Sequence, residues 1–186
     1  MARPVEYDLE KVLDNAMEIF WEKGFEGVSM AQLVEHTGLN RRTMYSLFKD
    51  KNGVFKDALD NYYSKRSAKK LEILKNNHGK KGLLEFFQSF EFSEEFKGCL
   101  FSNTMTDKEF VDNETYNIPK EYFNKLKKQI EINLNEAKED NEFSGNSQAM
   151  ALTIITFIHG FHVHGKYNTN KNDSQMIIKN LIDMIK

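Results

Sequence analysis

The chain has a single cysteine in 186 residues, Cys99, so it can form no internal disulfide and no multi-cysteine zinc site. Two prolines and ten glycines are too few for a collagen-like or linker-like chain. Neither sign of charge prevails: 26 Lys and Arg stand against 28 Asp and Glu, a formal net charge of −2. This excludes a protein held to nucleic acid all over by bulk positive charge; any such site must be a local patch. Long apolar runs are missing too. The longest, Ala149 to Phe157, contains two threonines and falls far short of a membrane span. No apolar segment follows the opening Met1-Ala2-Arg3-Pro4-Val5-Glu6. A cytoplasmic protein without a membrane partner is expected, and the Asn-x-Ser/Thr matches at Asn113 and Asn172 then carry no meaning.

What is present is helical periodicity. Leu9, Val12, Leu13, Ala16, Met17 and Phe20 form one stripe of an amphipathic helix, with Asp8 as its N-cap and Gly24 as its stop. Ser29 caps a short helix carrying Met30, Leu33 and Val34 and ending at Gly38. A third helix runs from near Asn40 to Phe48, and Asp50 caps a long fourth that reaches about Asn76. Further helices are expected over Leu83–Phe92, over Cys99–Phe110, behind Pro119 as a first-turn proline, over Ser147 to about Lys166, and after a cap at Asp173 or Ser174. No alternating stretch is long enough for a strand. The expectation is an all-α protein of about nine helices.

Charge is unevenly spread. Residues 1–70 carry 12 basic and 11 acidic side chains, residues 71–186 carry 14 and 17. Between Leu39 and Lys56, five bases (Arg41, Arg42, Lys49, Lys51, Lys56) face one acid, Asp50. Met30 to Phe48 has the logic of a helix-turn-helix: two short helices and a glycine turn. Met44 and Phe48 share one face and can pack inward, which turns Arg41, Arg42, Tyr45 and Ser46 outward. Forked donors, a phenol and a hydroxyl are the groups that read guanine edges and hold phosphates in a major groove. Lys51 at a helix start, Ser29 and Thr43 are further phosphate candidates, and Arg3 could enter a minor groove. The alternative is an ordinary three-helix packing motif with a solvated face.

The segment Asp8 to Leu59 resembles the N-terminal domain of TetR/AcrR-type transcriptional repressors. The likeness rests on Ala16-Met17-Glu18-Ile19-Phe20-Trp21-Glu22-Lys23-Gly24-Phe25, on Val28-Ser29-Met30, and above all on Thr37 to Lys51 with its Tyr45-x-x-Phe48-x-x-Lys51 ending. Gly98-Cys99-Leu100-Phe101-Ser102-Asn103 is similar to a segment of one branch that includes electrophile-responsive repressors. The resemblance implies a helix-turn-helix DNA-binding domain over residues 1–50 and a helical ligand-binding and dimerisation domain over 51–186. It makes Asn40 to Leu47 the recognition helix, with Arg41, Arg42 and Ser46 near bases and Thr43, Tyr45 and Lys51 on phosphates. The partners expected are a double-stranded DNA operator, a small-molecule inducer and a second copy of the chain. Two adjacent arginines point to a guanine-containing operator.

A single helix-turn-helix reads few base pairs, whereas a two-fold dimer reads two half-sites about one helical turn apart, roughly 34–36 Å. The last two helices are the expected dimer surface, with Leu152, Ile155, Ile158, Phe161 and Ile182 buried partly by the partner; the alternative is that they fill the core of the single chain. The middle helices are rich in aromatic and flexible groups, and an inducer site is expected among Phe86, Phe90, Cys99, Phe101, Met105, Tyr122, Phe123 and His159; the alternative is that these fill a core. Cys99 near a helix start, with Lys97 two positions away, is a candidate sensor of oxidants or electrophiles. His159 and His162 lie three apart, but no carboxylate or cysteine nearby in sequence completes a metal site, so no metal and no cofactor are expected. The rival readings are an enzyme and a helical interaction module; no nucleophile elbow, phosphate-binding loop, dinucleotide fingerprint or His-Glu-x-x-His helix is present, so a protein that is not an enzyme is expected.

Overall fold

The computed structural model describes residues 7–90 and 92–186, and the described residues form two compact units without a strand. The helices are α1 (Leu9–Lys23), α2 (Met30–Thr37), α3 (Arg41–Phe48), α4 (Lys51–Tyr62), α5 (Ala68–Asn76), α6 (Gly79–Gln88), α7 (Leu100–Thr106), α8 (Asn113–Glu139), α9 (Ser147–Gly165) and α10 (Lys171–Asp183). A π-helical turn, Tyr63–Ser67, lies between α4 and α5, so that the ten α-helical segments of the described residues correspond to the nine helices that the periodicity predicts.

The first unit holds the described residues up to Ser64 together with Cys99–Pro119. Its helices begin where short polar side chains can take an orphan amide. Asp8 accepts from Lys11 N at 3.3 Å, Asn40 from Thr43 N at 2.9 Å and Asp50 from Gly53 N at 2.9 Å. Ser29 and Gln32 form a reciprocal capping box. Gly38 ends α2 in the left-handed region at φ 75°, where a side chain would be strained. The apolar stripe of α1 buries Val12, Ala16, Met17 and Phe20, and Phe20, Phe25 and Phe55 meet ring to ring at 4.7–6.2 Å. Helices α1, α2 and α4 pack together, and α3 rests on α2 and α4 through buried Met44 and Phe48. Helix α7 packs on α1 and α4, where Tyr62 contacts Phe101 with ring centroids 5.1 Å apart.

The second unit, Lys65–Gly98 and Lys120–Lys186, is built on α5, α6, α9, α10 and the long part of α8. Its core includes Leu74, Leu83, Phe86, Leu126, Ile130, Leu134, Ile154 and Ile158. Asn133 is wholly buried there, and its amide donates to Leu74 O at 3.1 Å and Asn77 O at 2.8 Å, closing the open carbonyls at the end of α5. Gly82 leaves room for that amide: a Cβ on it would stand 2.6 Å from Asn133 Nδ2.

Four boundaries differ from the sequence reading. Helix α8 starts at Asn113, because Asp112 accepts from Thr115 N at 2.8 Å and from Tyr116 N at 2.9 Å. Pro119 therefore lies inside the helix and not in its first turn, and costs it the bond to Thr115 O. Helix α7 stops at Thr106 instead of running to Phe110. Helix α6 spans Gly79–Gln88, earlier than expected at both ends. Asn170, not Asp173 or Ser174, caps α10 by accepting from Asn172 N at 3.0 Å; Asp173 accepts instead from the Asn168 amide at 2.8 Å.

Candidate functional site

Helix α3 is eight residues long and owes its place to two side chains. Met44 and Phe48 point into the first unit, and the remaining surface is exposed: Arg41, Arg42, Tyr45, Ser46 and Leu47. Arg42 and Ser46 lie near the middle of the outward face, because at 100° per residue they stand opposite the Met44–Phe48 stripe. The Arg41 guanidinium sits 5.6 Å from the Tyr45 ring centroid, in cation–π range, which orients it along the helix surface. Thr43 is half-buried, and Asn40 is exposed with its side-chain oxygen engaged on Thr43 N. Ser29 is exposed and likewise occupied in its capping box. Arg3 lies outside the described residues.

The basic cluster is smaller than a count of residues suggests. Lys51 is half-buried; its ammonium donates to Phe25 O at 3.0 Å and lies 4.1 Å from the Phe25 ring centroid. Lys56 is paired with Glu114, which raises its pKa through the hydrogen bond and the charge of that carboxylate. Arg41, Arg42 and Lys49 remain exposed without an ion pair among the described residues. The charge offered outward is thus concentrated on α3 and on Lys49, the residue that follows it. The ends of α2 and α4 contribute backbone N–H groups and partial positive charge.

The predicted ligand residues divide between the units. Cys99, Phe101 and Met105 belong to the first. Cys99 is 6% exposed, and Tyr62 Oη lies 3.5 Å from its Sγ, a partner that nothing in the sequence flagged. Phe86, Phe90, Tyr122, Phe123 and His159 belong to the second. There Phe90 meets Phe86 at 5.0 Å and Phe161 at 5.6 Å, while Phe123 meets Tyr122 at 5.2 Å and His159 at 4.4 Å. Burial lowers the pKa of His159.

His162, which the sequence offers only as the neighbour of His159 in an incomplete metal pair, is the more unusual group. It is half-buried among Phe90, Phe96 and Phe161, and its Nδ1 is sealed off with no hydrogen-bond partner. Burial, with Lys70, His159 and Lys166 adding like charge, lowers its pKa to about 3. The unfolded chain therefore binds this proton below the ordinary value near 6.5, while the folded chain refuses it down to about 3. Stability is complete above that ordinary value and falls as pH drops toward 3. Between pH 7 and pH 5 a loss of roughly 1–2 kcal/mol is expected from this residue. Thermal unfolding at both pH values measures it: His162→Phe should flatten the slope, and an unchanged slope would remove His162 as its source.

The expected dimer surface also needs correction. Ile158 and Phe161 are buried within the chain itself, Phe161 against Phe90, Phe92 and Phe157, because they lie on the core side of α9. Ile155 and Ile182 are half-buried. The exposed row on α9 is Leu152, Thr156, Gly160 and Val163, with Leu152 52% and Val163 58% exposed and open space over Gly160. Met176 on α10 and Met184 just after it are exposed.

Residues 12–58 match the family described as bacterial regulatory proteins, tetR family. The chain is 43% identical over 67 residues to the HTH-type transcriptional repressor ComR of Escherichia coli, a segment covering 36% of this chain and 32% of that protein. It is 29% identical over 176 residues to the HTH-type transcriptional regulator YezE of Bacillus subtilis, over 83% of this chain and 89% of the relative. The fold matches that of the TetR family transcriptional regulator CifR, solved as a cysteine mutant with 26-bp double-strand operator DNA, with a TM-score of 0.82 at 20% identity over the whole of both chains.

Proposed function

We propose that the chain, whose residues 12–58 match the tetR family of bacterial regulatory proteins and whose all-α fold is TetR-like, is a dimeric cytoplasmic repressor of that family that reads a palindromic operator with α3. The observation that carries this reading is the two-sided character of α3. Met44 and Phe48 fix it from beneath, and Arg41, Arg42, Tyr45 and Ser46 are exposed above, a donor-rich surface on a helix narrow enough for a major groove. Residues 1–50 are the DNA-binding domain in this proposal, and residues 51–186 carry ligand binding and dimerisation. Among the described residues no helix is long and apolar enough to cross a membrane.

Release from DNA by a small molecule completes the proposal. A ligand shifts the equilibrium by its differential affinity for the two states of the protein. A thiol-reactive inducer is a second reading, motivated by the lone Cys99, whose Sγ accepts a hydrogen bond from Tyr62 Oη at 3.5 Å.

Selection of bound fragments from random DNA by the purified protein tests the main reading. A palindromic motif is expected, with affinity that falls steeply as salt rises, in proportion to the phosphates contacted. Recovery of unselected DNA with no motif would reject it. With the operator known, release by a quinone should be lost in Cys99→Ser; release that persists excludes the thiol.

A further inference from the structure

The joint between α3 and α4 is two residues long, Lys49 and Asp50, and its backbone is unusual. Lys49 has φ 68° and ψ −57°, and Phe48 O accepts a hydrogen bond from Asp50 N at 2.8 Å. A hydrogen bond from residue i+2 back to residue i around that conformation is a γ-turn of the positive-φ form, which is rare and strained. A lysine holds it although glycine would adopt it freely. Two features keep the turn in place. Lys49 N donates to Tyr45 O at 3.0 Å, which closes the last turn of α3 up to the joint. Asp50 caps α4 through Gly53 N at 2.9 Å, which fixes the first turn on the other side.

Gly53 then receives the end of α3. A Cβ at this position would stand 1.9 Å from Phe48 O and 3.0 Å from Phe48 C. Both are backbone atoms and cannot swing aside as the end of a side chain can. The Phe48 carbonyl thus seats on the bare Cα of Gly53, while the Phe48 ring is buried below and Val54 and Phe55 anchor α4 in the same core.

We propose that Lys49 and Gly53 are positioning residues that set the angle of the recognition helix on α4, and through it the sequence selectivity of the protein. The proposal rests on α3 being the DNA-reading helix, as argued above. An eight-residue helix is only about 12 Å long. A shift of about 1 Å where it ends tilts its whole outward face. Bidentate contacts to a base edge need donors within a few tenths of an ångström of their acceptors, so a tilt that small is enough to lose them. Contacts to phosphates tolerate it, because an ammonium or a guanidinium can follow an oxygen through a flexible stem. Selectivity and non-specific affinity therefore separate when the joint is altered.

The test compares Gly53→Ala, Lys49→Ala and Lys49→Gly. Both lysine variants lack the ammonium, so their difference reports the backbone alone. Affinity is measured for the selected operator and for random DNA, together with the thermal midpoint of each protein. Gly53→Ala should lose at least tenfold on the operator and less than threefold on random DNA. Lys49→Gly should be more stable than Lys49→Ala and yet less selective by at least threefold, a divergence that a purely structural role does not produce. Selectivity that rises and falls with stability across the three variants would overturn the proposal, as would a Gly53→Ala protein of unchanged selectivity. Residual dipolar couplings on the free proteins give the α3–α4 angle without DNA. An angle that is the same in wild type and Gly53→Ala overturns the proposal even if no operator exists; a changed angle with no selectivity in the wild type instead locates the failure in the DNA-reading function.

Discussion

Val163→Asp leaves the chain folded, converts the dimer to a monomer and lowers operator affinity by at least about a hundredfold. The side chain is 58% exposed in the single chain, in a row with Leu152, Thr156 and Gly160, so a carboxylate there meets water and folding of the monomer is unaffected. In a two-fold interface the same position occurs on both copies, and one substitution places two carboxylates in one desolvated patch. Burying an uncompensated charge costs several kcal/mol, enough to dissociate a micromolar dimer. Two half-sites held by one dimer gain about 10²–10⁴ in avidity over a single head, and that factor is lost with the dimer. Sedimentation measures the oligomer, far-ultraviolet circular dichroism the fold, and titration of full and half operators the affinity. A Val163→Asp protein that remains dimeric places the interface elsewhere than on the exposed row of α9.

Of the residues singled out on α9 from periodicity, only Leu152 lies in that row, while Ile158 and Phe161 are buried in the chain itself. Helix α9 is apolar nearly all round, so its composition declares burial without saying which side meets the chain and which a partner. Ile158 and Phe161 turn out to face the core and Leu152 and Val163 to face out, a partition set by where Phe90, Phe92 and Phe157 arrive. The N-terminal third was far more legible. There each helix begins at a lone capping residue, Asp8, Ser29, Asn40 or Asp50, and each stripe is apolar on one side only. Where capping residues cluster, as in Asn168 to Ser174, local chemistry offers several starts and packing picks one. Long-range partners were invisible: Lys56 meets Glu114 58 positions away, and Lys51 meets Phe25 26 positions away. Both lysines counted as outward charge in the sequence, and both are engaged. The γ-turn at Lys49 breaks the local preference of lysine, and no rule of composition anticipates it.

The reduction of the basic cluster to Arg41, Arg42 and Lys49 makes the second large prediction specific. Arg42→Ala should weaken the selected operator by at least about thirtyfold while random DNA loses only a few-fold. Arg42 is central on the outward face of α3 and has no ion pair among the described residues, so its truncation leaves folding unchanged and the whole effect falls on binding. A bidentate arginine–guanine contact discriminates by about 1–3 kcal/mol, and a symmetric dimer makes it twice. Two such losses sum to about 2–6 kcal/mol, or a factor of roughly 30 to more than 10⁴. Lys51→Ala provides the contrast. Its ammonium is committed to Phe25 O and the Phe25 ring, so removing it loosens the joint of α1 and α4 and lowers the thermal midpoint before any DNA is added. The two variants thus separate along different axes, selectivity for Arg42 and stability for Lys51. If Arg42→Ala weakens operator and random DNA equally, and the salt dependence of binding falls by about one ion per head, Arg42 holds a phosphate and the bases are read from Arg41 and Ser46.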